Sequence, residues 1–148
     1  MQYVNKLVLS IILVIMALSC KAQKMELLLT NKTLVANVAT IYEEVVGNSD
    51  CAGGQLYLVL EFNKEHVAVL EKSISTCGEE SITSLGNFRW KLLKTNNVII
   101  EAAPEKMKYS YLNNLELKLS DGILLGKRKN DANELTNNYV FKEVFNKK

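Results

Sequence analysis

Three cysteines, one histidine and two adjacent acidic pairs are the residues of this 148-residue chain whose types could do chemistry. Cys51 and Cys77 could pair as a disulfide, or join His66 around a metal ion. The metal reading fails on reach. His66 stands at the turn end of a predicted hairpin, eleven residues from Cys77, and a strand rises about 3.3 Å per residue, so the two are more than about 30 Å apart. No Cys-x-x-Cys spacing occurs either. Nucleophilic catalysis needs a base beside the nucleophile and a third group to orient it, and a single histidine on a turn supplies neither. Glu43-Glu44 and Glu79-Glu80 are sequence neighbours, whose side chains diverge on a strand or a helix. They read as solvated surface. The expectation is a non-enzymatic protein with no catalytic residue, no cofactor and no metal.

The segment between the cysteines must position them. Gln55–Phe62 alternates, with Leu56, Leu58, Leu60 and Phe62 on one face, and Val67–Ser75 resumes strand character after the polar Asn63-Lys64-Glu65. As an antiparallel hairpin, Phe62 faces His66 or Val67 and Cys51 faces Cys77 or Gly78. Neighbouring strands lie about 4.8 Å apart, so the thiols fall within bridging range. In an exported domain an even cysteine pair reads as a disulfide, worth about 3 to 4 kcal/mol for a loop of this size.

Export is indicated by the N-terminus. Leu7–Ser19 is a nearly unbroken apolar run of thirteen residues behind Lys6. A membrane span needs about 20 such residues, whereas thirteen suit the core of a signal peptide, here residues 1–19. Ala17-Leu18-Ser19-Cys20 resembles the lipobox of bacterial lipoproteins, whose cysteine is acylated and becomes the new N-terminus. Lipidation of Cys20 would make residues 20–31 a tether and hold a single domain, 32–148, at a membrane. The expected location is the periplasmic side of a bacterial envelope membrane, the outer one by preference. Ordinary cleavage after Ala22, giving a soluble periplasmic or secreted protein, is the alternative.

Within that domain, Thr33–Val46 spaces its large apolar residues in steps of one, three and four, which predicts an amphipathic helix ended by Gly47. From Phe88 onward the two-residue period returns. Phe88, Trp90 and Leu92 alternate with polar residues, Asn96-Asn97 provides a turn before Val98-Ile99-Ile100, and Met107–Leu119 places its apolar residues at odd positions. Ser120-Asp121-Gly122 is a tight turn, and Tyr139–Phe145 a last strand. Three long loops are expected at Gly47–Gly54, Cys77–Gly86 and Lys129–Asn138. The fold expected is mainly β: a curled antiparallel meander or small barrel of six to eight strands with one N-terminal helix. A helix packed on an antiparallel sheet (α+β) is the alternative.

Several of these strand patterns carry a resemblance. Leu58-x-Leu60-x-Phe62 before Val67-x-Val69, Phe88-x-Trp90, Asn97-Val98-Ile99-Ile100 and Leu124-Leu125-Gly126-Lys127 make residues 55–145 similar to the small lipocalin-like (calycin-type) envelope proteins of bacteria. That resemblance implies a barrel with an interior site for an apolar small molecule or lipid. Phe88, Trp90, Tyr109 and Tyr111, on predicted inward faces, would line it, or would simply fill a core. The other function expected is a protein-interaction lipoprotein: an envelope-assembly subunit, inhibitor or immunity protein working through its loops. The composition agrees with either. Of the residues 48% are hydrophobic and 23% charged, and the net charge of +2 is too small to mark a nucleic-acid binder. Lys127-Arg128-Lys129 could touch lipid headgroups, or serve as a plain strand end.

Overall fold

A computed structural model describes residues 28–42, 53–103, 105, 108, 110–130, 132 and 134–144. The described residues form eight strands: β1 (Thr33–Ile41), β2 (Gly54–Phe62), β3 (His66–Ser75), β4 (Glu80–Leu92), β5 (Asn97–Ile100), β6 (Leu115–Ser120), β7 (Ile123–Lys129) and β8 (Leu135–Glu143). Each pairs antiparallel with its sequence neighbours, and β8 returns to β1, closing a barrel. The closing seam is short. Leu34 and Val35 pair with Glu143 and Lys142, the Val144 amide donates to Thr33 O at 2.9 Å, and Lys32 meets Glu143 at 2.6 Å. Closure removes the sheet edges that an open meander of this length would expose.

The pleat sets the inside. Leu34, Ala36 and Val38 of β1, Leu58, Leu60 and Phe62 of β2, Val67 and Val69 of β3, and Trp90 of β4 are buried with Val98, Leu117, Leu119, Leu124, Tyr139 and Phe141 in one core. Charged residues such as Glu61, Lys91, Glu116 and Lys127 point out. This is the polarity of a water-soluble barrel and the reverse of a membrane-spanning one, whose lumen is polar and whose belt is apolar. The β2–β3 hairpin has the expected register, with Phe62 opposite Val67 and Gly54 opposite Ser75. Asn96 and Asp121 adopt the positive φ their turns require, at 64° and 50°.

The expected helix over Thr33–Val46 is overturned: Thr33–Ile41 is strand β1, and residues 43–46 lie outside the described set. Its β-branched residues favour the pleated state. A bulge between Asn37 and Ala39 breaks the two-residue count, and Val35 adds an apolar residue on the outer face, so the pattern imitated a helical period. With that helix goes the α+β alternative. The loop expected at Cys77–Gly86 is also corrected, since β4 begins at Glu80. So is the strand expected from Met107, which begins only at Leu115 behind Asn114 at φ 56°. The loop expected over Lys129–Asn138 shrinks to residues 130–134, between β7 and β8.

Gly86 is required by its neighbours. Its φ is 140°, and a Cβ built on it would stand 2.8 Å from the Phe88 ring. Gly86→Ala is expected to lose about 1 to 3 kcal/mol through backbone strain and displacement of that ring, read as a lowered denaturation midpoint at constant slope.

Candidate functional site

The two ends of the barrel differ. One end is closed. Leu29 is 1% exposed there, Phe62 N donates to Lys32 O at 2.8 Å, and Trp90 packs edge-to-face on Phe62 with centroids 5.1 Å apart. The Trp90 indole N–H donates to Asn63 O at 3.0 Å, which satisfies its single polar group inside the core. Trp90 is therefore a packing residue of the closed end, and it does not face a ligand space. His66 sits at the same end, its backbone N–H donating to Asn63 Oδ1 at 2.6 Å. No group of three or more metal-ligating side chains converges among the described residues.

The other end is half open. Strands β5 and β6 are short, whereas β3 and β4 run on past them as a projecting hairpin. Inner-face residues toward this end are Leu56 and Leu115, with Phe88 and Ile100 further down the wall beside Val67 and Trp90, all four partly exposed though packed on the core. Gly126 makes room among them, because a Cβ there would meet Phe141 Cε2 at 3.0 Å and Leu115 Cδ1 at 3.1 Å. Ahead of β6, residues 110–114 form a strap in which Ser110 is buried while Tyr111 and Leu112 rest on the core. Two contacts hold the strap to opposite walls. The Tyr111 N–H donates to Glu71 Oε1 of β3 at 2.9 Å, and the Arg128 guanidinium of β7 lies 5.0 Å from the Tyr111 ring centroid.

Glu71 and Arg128 both face inward. Glu71 is opposite the buried Leu58, and Arg128 is in phase with the buried Leu124 and Gly126 of its own strand, so each lies on the inner face. The basic triplet is thus split by the pleat. Lys127 and Lys129 point out, with Lys129 on Glu116 at 2.7 Å, while Arg128 enters the mouth. Beyond Glu71 the hairpin reverses polarity: Ser73, Ser81 and Thr83 face inward, and Ile74 and Ile82 outward. At the base of the strap, Lys91 lies 2.7 Å from Glu101. Its hydrogen bond and charge hold that exposed carboxyl below the usual carboxylate range. The contribution of this pair is present above the ordinary carboxylate value and lost as pH falls through the lowered one.

Of the sequence-based candidates, the structure brings Tyr111 to the strap, leaves Phe88 partly exposed on the inner wall opposite Val67, and buries Trp90 at the closed end. Tyr109, Cys20 and Cys51 lie outside the described residues. Cys77 occupies the turn between β3 and β4 and is an engaged sulfur, not a free thiol. Glu71, Arg128, Leu56, Ile100 and Leu115 join the site from outside those ligand candidates. Parity alone could have found them: each falls an even number of residues from an apolar position of the same strand.

The outer wall carries a second feature. Val35, Tyr57, Val59, Leu70, Ile74 and Ile82 surround an open groove of about 350 Å³, continued toward Ile41 and Tyr42 by one of about 230 Å³. Ile82 and Tyr42 are 61% and 88% exposed.

Fold and site together define a small closed antiparallel β-barrel with one half-open, strapped end. Compared with known proteins, the chain matches no family model, no curated protein and no solved structure.

Proposed function

We propose that this protein is a non-enzymatic binding module of the lipocalin-like kind, holding an apolar small molecule or lipid under its β5–β6 strap. The observation that carries this reading is the set of inner-face apolar side chains, Leu56, Phe88, Ile100 and Leu115, which stay partly exposed beside a sealed core. Burying such surface against a ligand is favourable by about 25 cal/mol per Å². Native mass spectrometry of the protein purified from its own envelope in mild detergent tests it. An added mass of a few hundred daltons, lost on denaturation and distinct from covalent acyl chains, is the expected result. A bare chain or a stoichiometric protein companion overturns it.

The same proposal includes a lipid anchor at Cys20 facing the periplasm and a Cys51–Cys77 disulfide. Compatible with the anchor, Leu28–Lys32 leads into β1 at the closed end of the barrel, away from the strap. Supporting the disulfide, Thr76 N donates to Gly53 O at 3.1 Å, which brings the residue before Cys77 beside the start of β2. Cys20→Ala is expected to move the protein from the membrane fraction to the soluble one, and unchanged association counts against the anchor. Reduction of the purified domain should add about 2 Da; two titratable thiols before reduction would exclude the bridge.

A second reading, partner docking, is favoured by the exposed apolar outer groove, since patches of this kind mark interaction sites on soluble proteins. A photo-crosslinker at position 82 giving one discrete adduct of fixed stoichiometry would move the assignment to that face.

A further inference from the structure

We propose that two copies of this protein associate edge to edge through β4, in an antiparallel pair centred on Ile82. This association is independent of what the barrel holds. Closure leaves one length of strand edge open. β4 runs from Glu80 to Leu92, but β5 pairs only with its Trp90, Lys91 and Leu92, and Glu101 N then donates to Arg89 O at 2.8 Å. Among the described residues, 80–88 pair with β3 alone. Residues 80–84 are all exposed, Ile82 at 61%.

The β3–β4 turn fixes which backbone groups are left over. Ser75 N donates to Glu79 O at 2.9 Å, so Glu79 turns its backbone toward β3. From there the register runs without a shift, Ile74 opposite Glu80 through Leu70 opposite Ser84. Antiparallel alternation therefore turns Ser81 and Thr83 toward β3 as well. The N–H and C=O groups of Glu80, Ile82 and Ser84 face the other way, off the sheet. Such a row is a template for one more strand.

The residues of this edge point to a second copy as that strand. Charge and proline are the common guards of a free edge, and Ser81 to Phe88 contains neither. The Glu80 carboxylate is held within its own sheet by Lys72 at 2.7 Å. The bulge between Val69 and Leu70 of the β3 register ends the straight stretch at Ser84, which limits the pair to 80–84. In an antiparallel pair centred on Ile82, the two Ile82 residues exchange both backbone bonds and meet on the outer face. Glu80 then stands opposite Ser84, and Ser81 opposite Thr83, so hydroxyls face each other and no like charges do. The added Ile82 lands at the rim of the outer groove, beside Ile74 and Leu70. Each chain uses the same patch, so the assembly closes at two.

Sedimentation velocity of the purified protein from about 1 μM to about 1 mM, the span of weak association, tests the pairing. The expected result is a shift from the mass of one chain to that of two. Amide exchange at Ile82 and Ser84 should slow by about tenfold or more in the paired state, while Ser81 and Thr83, already bonded to β3, change little. Ile82→Lys sets two like charges opposite each other and should keep one chain at every concentration. Ile123→Lys, the same charge change at an exposed position of β7, should pair like the wild type. A one-chain mass throughout overturns the proposal, and so does a dimer that survives Ile82→Lys or leaves exchange at Ile82 and Ser84 unchanged. Masses that climb past two chains overturn it in favour of head-to-tail addition. A photo-crosslinker at position 82 should join two copies of this chain in the native envelope; an adduct with a different protein overturns the pairing in favour of a foreign strand. A thermal melt in dilute solution matching the wild type qualifies each variant as folded.

Discussion

Trp90→Ala is expected to cost the barrel about 3 to 5 kcal/mol of stability and to leave the affinity of the native protein for an apolar ligand unchanged. The size follows from position. Trp90 is 9% exposed, stacks edge-to-face on Phe62 and donates its indole N–H to Asn63 O. Alanine empties that volume, removes the aromatic pair and leaves the carbonyl without its donor. Trp90→Phe keeps most of the volume and should cost clearly less. Urea denaturation with parallel ligand titration separates the two roles. A stable Trp90→Ala that no longer binds would return this tryptophan to the ligand site.

The second large effect is expected at the strap. Glu71→Ala removes the acceptor of the Tyr111 N–H, a hydrogen bond to a charged group worth about 1.5 to 3 kcal/mol. The loss should be local. The barrel core has no part in this contact, so the strap opens while the strands stay protected. Amide hydrogen exchange across residues 110–114 should speed up by about ten- to a hundredfold, with little change at Leu58, Leu60 or Leu119. Glu71→Gln retains a neutral acceptor oxygen and should recover part of the protection. Uniform acceleration through the core would show instead that Glu71 is needed for global folding.

Both predictions rest on residues whose roles came out differently from their appearance in the chain. Trp90 and Phe88 share a face and a two-residue spacing, yet one is buried at the closed end and the other stays partly exposed. Which end of a strand meets a turn and which meets a gap depends on the length of the neighbouring strands. Here the shortness of β5 and β6, four and six residues, makes the gap. Glu71 and Arg128 illustrate the same point for charge. Glu71 lies in a stretch that reads as strand and Arg128 in a basic triplet that reads as a strand end or a lipid contact, and only the parity of each strand, counted from Val69 or Leu124, turns the side chain inward.

Local patterns did determine much. The alternation of Leu56–Phe62 with Val67–Val69 dictated a hairpin and its register, because a one-residue slip would turn the whole apolar face to solvent. Asn96 and Asp121-Gly122 dictated turns, because they tolerate positive φ where most residues do not. What tertiary structure decided was the state of Thr33–Ile41, the closure of β8 on β1 and the gathering of Glu71, Tyr111 and Arg128 from three distant stretches. The reason is physical. A bulge at Val38 and an apolar outer face disguise a strand as a helix, and only pairing to β2 and β8 settles the matter. Contacts between β3, the strap and β7 join residues 40 and 17 positions apart, which no local periodicity encodes.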